Sequence, residues 1–146
     1  LAHPRTKAKA ENQRVLLLLN GGNAAVNEAL SDALADYRAL GKLLRYEYQI
    51  AALPAASVAG KATCKRLGLD ALALPALVAL NADEEVLGKL SAEHMVEGDA
   101  FAPDLVRNFL KQHACEPLHA RKVLADGLAV AKKDKRHVFV YLSAPW

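Results

Sequence analysis

Leu72-Ala-Leu-Pro75-Ala-Leu-Val-Ala-Leu80-Asn-Ala-Asp-Glu-Glu-Val86-Leu87 reads as a proline at a strand entrance, a buried strand, a tight turn and a returning strand. Residues 76–80 are apolar at every position, and so short an uninterrupted run suits a strand covered on both faces. Pro75 has no N–H to give to a ladder, which places it at the entrance of that strand rather than inside it. Asn81 to Glu84 supplies the polar turn of a hairpin, and residues 85–90 form its return strand.

Upstream, residues 15–19 form a second solid apolar run, closed by Asn20-Gly21-Gly22, and read as another strand buried on both faces. From Asn23 the apolar positions Val26, Leu30, Ala33, Leu34, Tyr37 and Leu40 recur at helical spacing, with Asn23 as N-cap and Gly41 as C-cap. Residues 43–50 alternate around Leu44, Tyr46 and Tyr48 as a strand, and residues 57–67 form a shorter helix ended by Gly68. Downstream of the hairpin, Phe101, Leu105, Val106, Phe109 and Leu110 mark a helix opened by Pro103. The order β-α-β-α-β-β-α implies an α/β fold with a mixed central sheet and helices on both faces.

A chain of 146 residues, 53% hydrophobic and 24% charged, has the composition of one globular core. Its longest apolar run, residues 71–80, is half the roughly 20 residues that a membrane span needs. No uncleaved signal peptide is visible in residues 1–10, and the compartment stays open between cytoplasm and export after removal of a leader. The net charge of +3 comes from the flanks: residues 1–14 carry +3, residues 15–116 carry −4 and residues 117–146 carry +4. The densest basic cluster, Lys132, Lys133, Lys135 and Arg136, has no interleaved aromatics and no nucleic-acid module around it, so it reads as a solvated helix end.

Cys64 and Cys115 are too few for a disulfide scaffold. His113, Cys115 and His119 lie within seven residues, yet structural zinc takes four ligands from separate elements, and a helix connection is the expectation there. There is no Gly-x-Gly-x-x-Gly, no Gly-Lys-Ser/Thr loop and no His-Glu-x-x-His, so neither cofactor nor metal is expected. Gly21-Gly22-Asn23 lacks a nearby cation for an anion site and reads as a turn. His94, beside Glu93 and Glu97, reads as part of a solvated loop.

The segment from Leu72 to Leu87 resembles the proline, strand, turn, strand segment of the thioredoxin-like superfamily, and the element order agrees over residues 15–113. The resemblance implies a cis peptide between Leu74 and Pro75, facing a helix start, in a groove where the backbone before the proline pairs with a bound peptide. The alternative left by the residues is a trans proline at a strand start. Thiol–disulfide exchange needs a thiolate of lowered pKa at a helix N-terminus and a second thiol to resolve the mixed disulfide. Laid on this chain, the family's Cys-x-x-Cys falls at Ala24, Ala25, Val26 and Asn27, behind Asn23, so that the active-site loop is degenerate and no catalytic residue is expected. The family's buried carboxylate falls near Leu18 and its flanking tryptophans near Asn20 and Asn23. Cys64, inside a helix, reads as a small half-buried side chain and Cys115 as a bystander.

The ending Arg136-His-Val-Phe-Val-Tyr-Leu-Ser-Ala-Pro-Trp146 is similar to the strand that leads into a thioredoxin active site. Slid by 123 residues, Leu1, Ala2, Ala8, Lys9, Val15 and Leu19 fall on Leu124, Ala125, Ala131, Lys132, Val138 and Leu142, six matches in 23. Three segments are therefore expected: a basic helix or linker over 1–14, a domain without Cys-x-x-Cys over 15–113, and over 114–146 a helix (118–133) and the first strand (138–142) of a second unit. The expected role is a redox-inactive binding or positioning module in a tandem protein. A competing reading makes the chain a fragment of an oxidoreductase whose Cys-x-x-Cys follows Trp146. The partners expected are a protein or peptide at the Pro75 groove and a second copy through residues 118–146.

Overall fold

The computed structural model describes residues 2–141, which form two compact units, one up to Cys115 and one from Glu116. In the first, helix α1 (Ala2–Glu11) precedes strand β1 (Arg14–Asn20) and helix α2 (Ala24–Ala35). A π-helical turn (Tyr37–Gly41) runs into helix α3 (Lys42–Glu47), then strand β2 (Tyr48–Pro54) and helix α4 (Val58–Leu67). Strands β3 (Ala76–Leu80) and β4 (Val86–Leu90) form the hairpin. A 3-10 turn (Ala92–Met95) and a small ribbon of β5 (Val96–Glu97) and β6 (Ala100–Phe101) lead to helix α5 (Pro103–His113).

The sheet order is β2-β1-β3-β4, with β1 parallel to β2 and antiparallel to β3. Alternation along the central strands builds a core on each face. Leu16, Leu77 and Ala79 pack with Val26 and Leu30 of α2 and Val106 and Leu110 of α5. Val15, Leu17, Leu19 and Val78 pack with Ala8 of α1 and Cys64 and Leu67 of α4. The fold is thus α/β, a mixed sheet between two helical layers.

Local chemistry explains the boundaries. Asn23 caps α2 by accepting from Val26 N–H at 3.2 Å, and Ser57 caps α4 by accepting from Gly60 N–H at 2.9 Å. Gly68 ends α4 in the left-handed region at φ +65°. In the β3–β4 turn, Asn81 Oδ1 accepts from the N–H groups of Asp83 and Glu85 at 2.9 Å each.

Two expectations fail. The strand over 43–50 is helix as far as Glu47, the strand beginning only at Tyr48, and Gly41 is no cap but lies within helical backbone at φ −60°, ψ −33°. Leu40, Leu44 and Tyr48 are all buried at a spacing of four, whereas Tyr46, the residue that alternation needed inside, is exposed. Gln13 steadies this turn by donating its side-chain amide to the carbonyls of Arg45 and Tyr46 at 3.1 and 2.9 Å.

In the second unit, helix α6 (Ala120–Asp134) ends at Lys135 in the left-handed region. The strand expected over 138–142 is not formed among the described residues: residues 136–141 carry no regular structure, and Leu142 lies outside them. A strand exists only through ladder bonds to a neighbour, and no other strand lies among the described residues of this unit. No helix among the described residues is long and apolar enough to cross a membrane.

Tyr48 ties the sheet to α5, its hydroxyl donating to the Leu110 carbonyl at 2.6 Å, one of the carbonyls left over at the helix end. Burial holds this phenol well above its ordinary range, Arg14 pulling the other way and Glu47 adding to the rise. The unfolded chain ionises near pH 10 while the fold keeps the proton, so this contribution is present below about pH 10 and is lost as pH rises beyond it. Tyr48→Phe should cost about 1 kcal/mol at neutral pH and flatten the alkaline decline. Urea melts at pH 8 and above 10 check both; an unchanged alkaline slope refutes the assignment.

Candidate functional site

The chain leaves β1 at Asn20, turns through Gly21 and Gly22, and enters α2 at Asn23. Opposite this turn lies Leu74, joined to Pro75 by a cis peptide bond. The approach is very close: Asn23 N–H donates to the Leu74 carbonyl at 3.3 Å, and a Cβ built on Gly22, at φ +67°, would lie 2.2 Å from that oxygen. Only glycine combines that backbone with that distance.

The expected tetrad positions are brought to this turn. Ala24 and Ala25 are exposed on the first turn of α2, Val26 is buried in the core beneath, and Asn27 is half-buried. Asn27 has a role that the sequence reading missed. Its side-chain amide donates to the Gly21 carbonyl at 2.5 Å and to the Asn23 carbonyl at 3.0 Å, while its oxygen accepts from Gly21 N–H at 3.3 Å. One side chain thereby closes the loop with backbone-like bonds. The sequence signal was the pair Asn23 and Asn27 behind two glycines, where the first asparagine caps and the second clamps.

Sulfur lies elsewhere. Cys64 is buried in the apolar layer of α4, and Cys115 is half-buried beyond α5. Burial pushes the Cys115 thiol up, Arg14 opposing and Glu47 adding, which is the reverse of what a nucleophilic thiolate requires. Leu18, at the position of the family's carboxylate, is partly buried against the α2 side of the core. His94 sits on an exposed turn, its Nδ1 3.5 Å from the Glu93 carboxylate. The His113 ring lies edge-on to Phe109 and covers Gly88, where a Cβ would lie 2.3 Å from Nε2. Among the described residues, no three His, Cys, Asp or Glu side chains converge as metal ligands.

Three grooves meet at the Gly21-Gly22 turn. One of about 890 Å³ runs between α2 and the sheet, over Leu18, Leu30, Leu34 and Ile50. A second, of about 510 Å³, lies between Asn23, Val26, Leu72 and Leu74; a third, of about 440 Å³, lies between the same turn, Ala55 and Cys64. What this arrangement offers is a shaped, largely apolar surface around a closed turn, with backbone amides and no thiol on the turn itself.

No family model matches the chain, nor does any curated protein. Solved structures do. A disulphide isomerase from Xylella fastidiosa Temecula1 matches with a TM-score of 0.61 and 13% identity, over 76% of this chain and 86% of that one. A thioredoxin from Thermus thermophilus matches with a TM-score of 0.54 and 18% identity, over 93% and 92%. DsbH oxidoreductase matches with a TM-score of 0.53 and 10% identity, over 75% and 78%. At such identities the likeness is one of fold, and the fold is thioredoxin-like.

Proposed function

We propose that this thioredoxin-like chain is a redox-inactive binding or positioning module of a tandem thioredoxin-like protein. The observation that carries the reading is the composition of the turn itself: at Ala24 to Asn27 there is no thiol, and the position of the second thiol holds the asparagine that closes the loop. A partner protein or peptide docks across Leu74 and Pro75. The Leu74 carbonyl is already taken by Asn23, so the partner relies on the groove between Asn23, Val26 and Leu72 more than on a full backbone ladder. Residues 118–146 supply a separate contact, to a second copy.

Insulin reduction by dithiothreitol is the test. The chain should leave the rate at background, and Cys64→Ser and Cys115→Ser should change nothing; catalysis that disappears in either variant overturns the reading. Amide chemical shifts on titration with a peptide selected from a display library should move at Gly22, Asn23 and Leu74. Shifts confined to other surfaces remove the docking site.

A further inference from the structure

Two of the grooves at the Gly21-Gly22 turn run into each other: Gly22, Ala71 and Leu74 line both the one of about 510 Å³ and the one of about 440 Å³. They form a single track with Leu74 as its saddle, so an extended segment lying in one continues into the other. Small and apolar side chains line most of it, and Leu72, 87% exposed, stands at the rim. The charged residues sit at opposite ends. Lys61, Lys65 and Asp70 line the α4 end, whereas at the end beside the 3-10 turn Glu93 is the one charged lining residue among those described.

Each end has charge to spare. Lys61 and Lys65 are exposed, one turn apart on a helix that carries Lys61, Lys65 and Arg66 and no acid. Like charges at that spacing repel, and among the described residues neither lysine has a carboxylate partner. Asp70 is engaged elsewhere: its Oδ1 accepts from the N–H groups of Leu72 and Ala73 at 2.9 and 3.0 Å, and the lining of that end stays net positive. Glu93 is exposed, its Oε1 3.3 Å from the Ser91 hydroxyl and 3.5 Å from His94 Nδ1, and neither lysine nor arginine lines its groove. We infer that the track takes an extended segment of a partner protein whose apolar middle crosses Leu74 and whose ends are oppositely charged, an acidic side chain at Lys61 and Lys65 and a basic one at Glu93. Charge complementarity selects this occupant: a segment with the same charge at both ends would meet a like charge at one of them. The same polarity decides which way the segment runs. The inference rests on the proposal that a partner docks across Leu74 and Pro75, and names the chemistry of that partner.

Fluorescence anisotropy of labelled short peptides with the full chain is the test, at low salt and at pH 8, where imidazole side chains are neutral. Each peptide has a run of alanine and leucine between two end positions, which hold aspartate, asparagine or lysine in every combination. Peptides with one acid and one base should bind best, one order of the two charges exceeding the other by about fivefold or more. Combining Lys61→Glu, Lys65→Glu and Glu93→Lys in one chain should reverse the preferred order, a result that misfolding cannot produce. If the peptides bind alike whatever their ends, or the three substitutions leave the preferred order unchanged, the polarity falls while docking at Leu74 stands. If no peptide of this set binds but a display-selected one still moves the Gly22, Asn23 and Leu74 amides, the polarity falls likewise. Where nothing moves those amides, the docking reading falls with it.

Discussion

Replacing Gly22 with alanine is expected to cost about 2–4 kcal/mol and to break the contact between the Asn23 turn and Leu74. Two penalties add. At φ +67° an alanine pays the left-handed strain of about 1 kcal/mol, and its Cβ would lie 2.2 Å from the Leu74 carbonyl oxygen and 2.8 Å from the carbonyl carbon. Backbone atoms on both sides must move. Gly98 provides the control, because it has φ +61° and nothing within 4 Å of a built Cβ, so Gly98→Ala pays the first penalty alone. Urea melts of the two variants isolate the cost of the Leu74 contact; equal shifts would show that the turn and the Leu74–Pro75 segment are not pressed together.

Leu77→Ala should cost about 3–4 kcal/mol, a large share of a typical domain stability of roughly 5–15 kcal/mol. Leu77, the second residue of β3, is 0% exposed and packs among α2 and α5 side chains, so truncation leaves a cavity that the neighbours on the sheet cannot fill. Leu72, five residues earlier in the same apolar run, is 87% exposed, and its alanine variant should stay within about 0.5 kcal/mol of wild type. Denaturant midpoints decide the matter. Comparable losses at the two positions would mean that the strand does not begin after Pro75, since that boundary separates the exposed leucine from the buried one.

The hairpin from Ala76 to Leu90, the helix between Ser57 and Gly68 and the helix opened by Pro103 were legible because each has local punctuation that tertiary packing leaves intact. The stretch 37–47 was not. Leu44 and Tyr48 share a face in a helix and in a strand alike, since four residues are close to one helical turn and also two strand repeats. Only Tyr46 distinguishes the two, and its exposure depends on what packs there. The start of α2 was equally readable from Asn23, whereas the clamp by Asn27 was not, because it needs the Gly21 carbonyl to turn back toward the helix. Residues 1–14 were read as a basic helix or linker with no part in the core, yet Ala8 of α1 is fully buried against β1 and α4 residues, a small side chain whose partners are remote in sequence.

The clamp at Asn27 also bears on what substitution histories are open to this chain. A thiol installed there would sever the bonds that Asn27 makes to the Gly21 backbone, loosening the loop before a cysteine at position 24 could act with it. A cysteine at 24 alone would have no neighbour to resolve a mixed disulfide. Each single step toward sulfur chemistry is therefore unrewarded or harmful. The double change would have to arrive together with a new way of holding Gly21, because closing the loop and carrying a thiol compete for the same position.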